Sequence, residues 1–169
     1  MKKEFYIGID IGKNGAIMIL ASEPYLKAIS PIAMPMINKE LDLQSLYKAL
    51  EVYKGSQCHV IFEKLGVIYG SSKTTAFSMG YQAGAIEAIC ISLQLPYTIV
   101  HAKVWQKEMF QGIKELTKTN GKTRDTKAMA LIAAKRLFPD LELSFKKGLK
   151  PHDGLIDALL IAEYGKRNF

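Results

Sequence analysis

Apolar and polar positions alternate with a period of two near the start of the chain and shift to helical spacing further along. In Phe5–Ile11 (FYIGIDI), an extended backbone sends Ile7, Ile9 and Ile11 to one face and Gly8, Asp10 and Gly12 to the other. A carboxylate therefore sits on a face kept bare of bulk. Asn14-Gly15 is a tight-turn signal and Ala16–Ala21 is again apolar, which predicts a hairpin. Tyr25–Met34, bounded by Pro24 and Pro35, reads as a third strand, so three consecutive antiparallel strands are expected. Between Leu41 and Tyr53, apolar residues at 43, 46, 47, 50 and 53 trace one helical face, and Gly55 is placed to stop it. Cys58–Phe62, ending at Glu63, reads as a buried fourth strand.

A long helix is expected from about Thr74 to Leu93, starting at a serine pair able to cap it. Its Phe77, Tyr81, Gly84, Ala85 and Ala88 suggest close packing against another element, since Gly80 and Gly84 would otherwise cost up to about 1 kcal/mol each relative to alanine. Tyr97–Val100 follows Pro96 as a fifth strand, and strand, helix, strand at this spacing implies a parallel crossover. A short helix around Val104–Phe110 precedes QGIKELTKTNGKTRD, which has the lysines and Asn-Gly turn of a mobile surface loop. Asp125–Phe138 reads as a helix with Met129, Ile132, Ala133 and Leu137 on one side, closed by Pro139. The final helix is PHDGLIDALLIAEYGKR.

With 169 residues and no Pro/Gly/Ser-rich linker, one domain spanning 1–169 is expected. No secretory pattern opens the chain and no apolar run is long enough for a bilayer, so a cytoplasmic protein with no membrane partner is the default. Cys58 and Cys90 lie in apolar contexts without CxxC spacing and read as buried free thiols. Trp105 reads as core, and His59 and His101 as structural. The net charge is +7, and location makes it informative: Lys103 to Lys150 carries twelve Lys and Arg against five Asp and Glu, so the rest of the chain is neutral. Localised positive charge suits a polyanion, whose neutralised phosphates release counterions. The bland alternative is a solvated basic surface.

Asp10 alone could be a buried aspartate satisfied by backbone donors or a strand-end turn residue. Other acids change the picture. Asp153 and Asp157 stand four apart, which puts both on one helix face with no basic residue between them. A helix N-terminus accounts for Asp153 but poorly for Asp157, which opens the apolar run Ala158–Ala162. With Glu63, these form a set of hard oxygen ligands that favours Mg²⁺, with Mn²⁺ able to substitute, over zinc. Carboxylates holding two ions are the arrangement that hydrolyses phosphodiesters by in-line attack, and the basic surplus supplies the polyanion. Nucleic acid is the substrate class on which both features converge.

The order GIDIGKNG, IFEK, HDGLIDALLIA resembles the RuvC-type Holliday junction resolvases, cellular, phage or prophage, of the RNase H-like superfamily; SMGYQAGAIEAICISLQLP is similar to their long interface helix. The resemblance implies an RNase H-like five-stranded mixed sheet, three antiparallel strands then two parallel, flanked by helices. It further implies a homodimer that binds four-way junction DNA and acts as a Mg²⁺-dependent crossover junction endodeoxyribonuclease with two ions per site. Asp10, Glu63 and Asp157 match the metal-binding catalytic acids. Where the family has an acid or histidine three residues before the last aspartate this chain has Gly154, so the fourth ligand is Asp153 or His152. Tyr69 matches a junction-wedging loop residue; Lys64 and Lys73 would meet phosphate from the same edge. Lys118, Lys122, Arg124 and Lys127 are the expected DNA contacts of the basic segment. Another RNase H-like nuclease acting on RNA or RNA/DNA, or a non-catalytic junction-binding protein, remains the alternative.

Overall fold

The computed structural model describes residues 4–22, 28–65 and 72–169, with the backbone alone at 28–30. The chain runs β1 (Phe5–Asp10), β2 (Ala16–Ala21), β3 (Ala28–Ala33), β4 (Met36–Ile37), β5 (Glu40–Leu41), α1 (Leu43–Glu51), β6 (Cys58–Glu63), α2 (Lys73–Leu93), β7 (Tyr97–Val100), α3 (Ala102–Met109), α4 (Thr126–Leu137) and α5 (Asp153–Asn168). The main sheet has the order β3-β2-β1-β6-β7. Its first three strands are antiparallel, and β1, β6 and β7 are parallel to one another, as expected.

Alternation along β1 separates two cores. Ile7, Ile9 and Ile11 pack with Leu46 and Leu50 of α1 and with Ile86 and Cys90 of α2. On the opposite face, Tyr6 and Met18 join Trp105, Met129, Leu155 and Leu159 from α3, α4 and α5. The bare face of β1 exists for α5: a Cβ on Gly8 would lie 2.1 Å from the Ala158 carbonyl oxygen and 2.5 Å from the Ala162 nitrogen. Helix backbone thus rests directly on strand backbone, which is why α5 is buried from Gly154 to Gly165 except at Asp157. Trp105 is core, 1% exposed and edge-on to Phe110. Cys58 and Cys90 are buried and in no disulfide, and burial pushes the Cys90 thiol up to about 12. His59 stacks on Phe169 and bonds Thr98, whereas His101 is the exposed N-terminal residue flanking α3.

Four expectations need correction. The hairpin β4-β5 was not anticipated: its two central residues, Asn38 and Lys39, have φ of 50° and 68°, and only the asparagine is a usual choice for such a turn. In α4 the buried face is Met129, Ala130, Ala133 and Ala134, while Ile132 is 44% exposed, because the alanines let the helix approach its neighbours closely. The exposed loop between α3 and α4 carries the expected Asn-Gly turn and is tied more closely than a loop reading suggests: Thr117 bridges Arg124, Lys118 N–H donates to Thr123 O at 2.7 Å, and Asn120 Oδ1 accepts from the N–H groups of Lys122 and Thr123. Finally, Phe77 (77% exposed) and Tyr81 (50%) of α2 face outward, and Gly80 and Gly84 have nothing within 4 Å of a built Cβ. The start of the expected third strand at Tyr25, and Tyr69, lie outside the described residues. Among the described residues, no helix is long and apolar enough to cross a membrane.

Candidate active site

The acids converge because three elements end or begin at one place. β1 ends at Asp10. In the parallel neighbour, Phe62 is in register with Ile9, so Glu63 is the next step level with Asp10 and shares its face of the sheet. α5 begins above this edge. His152 flanks its N-terminus and caps it, with Nδ1 accepting the Leu155 N–H at 3.2 Å and the ring set against Phe145. Asp153 is the first helical residue, and Asp157 follows one turn later.

Gly154 holds this corner together. A Cβ there would lie 2.2 Å from the Asn14 carbonyl oxygen and 2.9 Å from Asp10 Oδ2. On the other side the turn closes on itself, with Gly15 N–H donating to Gly12 O at 2.9 Å and a Cβ on Gly15 falling 2.1 Å from Asp10 O. No side chain fits at 154, which accounts for the acid standing at 153 instead.

Asp10 is not satisfied by backbone donors. Among the described residues, the side chains of Asp10, Glu63 and Asp157 accept no hydrogen bond. Burial, then the charges of Asp157 and Glu63, push Asp10 up to about 8, against the partial relief of Lys127. Burial, then Glu63 and Asp153, push Asp157 up to about 7. Glu63 is raised by burial. Three half-buried carboxylates that disfavour one another's ionisation need a cation or protons to coexist. Asp153 differs: it is exposed and takes the Lys127 ammonium at 2.5 Å. Its like-charge tension with Asp157 is thus relieved by α4, a compensation that spacing along α5 alone could not reveal.

Asp10, Asn14, Lys127, His152, Asp153 and Asp157 line a cleft of about 460 Å³, and Glu63 is not among its lining residues. The oxygen-only, like-charged donor set suits a hard divalent cation. Among the described residues, no three His, Cys, Asp or Glu side chains are grouped closely enough to hold a metal ion as they stand. Of the expected DNA contacts, Lys64 and Lys73 are exposed beyond β6 and at the start of α2, and Lys118 and Lys122 are exposed on the Thr117–Arg124 turn. Arg124 is engaged with Glu115 at 4.0 Å and lies over the Phe110 ring. Asn14 on the cleft wall was missed; its signal was its place four residues after Asp10, which had been read only as turn punctuation.

The sheet order and helix placement define the RNase H-like fold of RuvC-type resolvases. The chain superimposes on T. thermophilus RuvC in complex with a Holliday junction substrate with a TM-score of 0.63 and 13% identity, covering 95% of this chain and 92% of that one. A second Thermus thermophilus RuvC structure gives 0.60 and 16%, covering 94% and 90%. No family model matches the chain. No curated protein matches it in sequence.

Proposed function

We propose that this chain, as a single domain, is a structure-specific endonuclease that resolves four-way DNA junctions by metal-dependent phosphodiester hydrolysis. The observation that carries the reading is the meeting of Asp10, Glu63 and Asp157, half-buried and without a hydrogen-bond partner among the described residues, at one edge of a RuvC-type fold. Asp10, Glu63 and Asp157 would hold Mg²⁺ or Mn²⁺ as two ions, with Asp153 the fourth ligand; His152 has one nitrogen engaged in the helix cap and only Nε2 to offer. When bound, the ions supply a nucleophilic water at neutral pH and stabilise the leaving oxygen. The chain's own part is positional. The glycine-locked corner fixes Asp10 against α5. Lys127, on the cleft rim, would meet a phosphate once Asp153 turns to a cation. Lys64, Tyr69, Lys73, Lys118, Lys122 and Arg124 would hold the arms of the junction.

A homodimer suits the paired nicks that resolution needs, and the outward Phe77, Tyr81 and Ile91 of α2 support that face as the contact. The test is cleavage of a mobile four-way junction beside a linear duplex of the same sequence, with Mg²⁺ and with EDTA. Symmetric paired nicks are expected in the junction alone. Asp157→Asn should lose several kcal/mol of transition-state stabilisation, about 10³-fold in rate, while still binding. Equal cleavage of RNA/DNA hybrids or structured RNA would replace the reading with a different RNase H-like nuclease. Tight binding without metal-stimulated cleavage would make the protein a junction-binding module.

A further inference from the structure

A second cleft, of about 560 Å³, opens on the far side of the Lys127–Asp153 ion pair and shares Lys127, Asp153 and Pro151 with the acid cleft. The pair is therefore the partition between the two. Its rim carries Lys118 from the Thr117–Arg124 turn and Lys150 from the corner before α5. Its floor is apolar: Ala128 and Leu131 of α4 and Ile156 of α5. The two acids beside it are already spent, since Asp125 Oδ1 accepts the Ala128 N–H at 3.1 Å as the cap of α4 and Asp153 holds Lys127. Lys118 and Lys150 have no acidic partner among the described residues. Lys118 is held on a turn whose own backbone bonds fix it, at its Thr123 and Gly121 contacts, so its ammonium is presented from a defined base.

We infer that this cleft is a nucleotide subsite, seating the residue next to the phosphodiester at the acids, with its phosphate between Lys118 and Lys150 and its sugar and base on the Ala128–Leu131–Ile156 floor. An unpaired basic rim over an apolar floor has the amphipathic pattern of a nucleotide, and the shared partition makes it continuous with the place where chemistry would occur. The Lys127–Asp153 pair sets the boundary between the cleaved linkage and its neighbour. The inference rests on nucleic acid being the substrate. It adds a local reader of the strand to the acids.

The test is salt-titrated binding of the intact protein to a fluorescent four-way junction and to a single strand, by anisotropy in EDTA, for Lys118→Gln, Lys150→Gln and Ala128→Leu. Lys54→Gln, beyond α1 on the opposite face of the sheet, is the control. Each rim variant should weaken binding roughly threefold to tenfold near 0.1 M salt and lower the slope of log K against log salt by about 0.7–0.9, the loss of one phosphate contact. Ala128→Leu fills the floor without changing charge, so it should weaken binding at unchanged slope, and its thermal melt reports that the fold is kept. Rim variants that behave like Lys54→Gln, or an Ala128→Leu that binds as the intact protein does, would overturn the subsite. So would absence of salt-dependent binding by the intact protein. Failure of the cleavage assay with these binding signatures present would instead sink only the nuclease reading.

Discussion

The helices α5 and α2 are both long and interrupted by glycine, yet the glycines do opposite things. In α5 a Cβ at Gly154 would strike the Asn14 carbonyl oxygen, and one at Gly165 would come within 2.2 Å of Ile61 Cδ1. In α2 a Cβ at Gly80 or Gly84 would meet open space, with Phe77, Tyr81 and Ile91 exposed around it. One helix uses glycine to sink into its own sheet; the other carries small residues on a face that the described residues leave uncovered. Sequence composition alone does not separate these cases, and close approach was read only for α2.

The sharpest break in that comparison is Gly8→Ala, on the strand that α5 covers. The added methyl would sit 2.1 Å from a helix carbonyl and 2.5 Å from a helix nitrogen, neither of which can rotate away. A loss of about 3 kcal/mol or more is expected, roughly 6–12 °C in Tm for a chain of this length, read by thermal melting. Gly154→Ala presses instead on the backbone of the turn after Asp10, at the Asn14 carbonyl oxygen, and this turn is exposed at Lys13 and Asn14 and so can shift further than a strand under a helix. Its cost in Tm should be smaller, but displacing Asp10 from Asp157 by even an ångström should cut junction cleavage about 10²-fold, measured under single-turnover conditions. A Gly154→Ala protein that cuts at the normal rate would show that the corner does not hold the acids.

The acid cleft supplies the next contrast, between buried and exposed carboxylates. Asp10 and Asp157 ionise in the unfolded chain near 3.8 but in the folded chain only near 8 and 7. Between those limits the native state holds protons that the unfolded state has lost, so metal-free stability should fall as pH rises from about 4 to 8. Below pH 4 the burden vanishes. Asp10→Asn should therefore raise Tm in EDTA at pH 8 by at least about 1 kcal/mol, roughly 2–4 °C, with the gain shrinking toward pH 5. Mg²⁺ should raise the Tm of the intact protein more at pH 8 than at pH 5.5, and should do little for Asp10→Asn. Asp153→Asn removes one of the charges that raise Asp10 and Asp157 and leaves Lys127 free to face them, so it should shrink the fall in stability toward pH 8 without abolishing it.

Much of this was legible in the residues, for identifiable reasons. Alternation in FYIGIDI placed Asp10 and Gly8 on one face, and the aspartates of HDGLID fell one turn apart, because both periods are set by backbone geometry. What was not legible depended on neighbours distant in sequence. The Lys127–Asp153 pair joins residues 26 apart, and the reason for Gly154 lies in the carbonyl of Asn14. The face of α4 was misread at Ile132 because alanines, weak markers in a hydrophobicity pattern, form its buried stripe. The β4-β5 hairpin was missed because Lys39 adopts a positive φ that its type rarely takes.

The smallest expected effects test the other half of the comparison. If α2 keeps its outward face in water, Gly80→Ala and Gly84→Ala replace poor helix formers at sites with room for a methyl, and each should stabilise the chain by up to about 1 kcal/mol. If that face instead meets a second copy of the chain, the same methyls must fit at the contact, and the gain turns into weaker self-association. Sedimentation of the intact protein and of Gly84→Ala across a range of concentrations, with melts at each, separates the two. A Tm that rises with concentration in the intact protein and loses that dependence in Gly84→Ala would mean that the glycines of α2 serve an approach as close as the one α5 makes, to a partner outside the chain. A stabilised, concentration-independent Gly84→Ala would leave the difference between the helices as it stands and remove the support that α2 gives to a dimer.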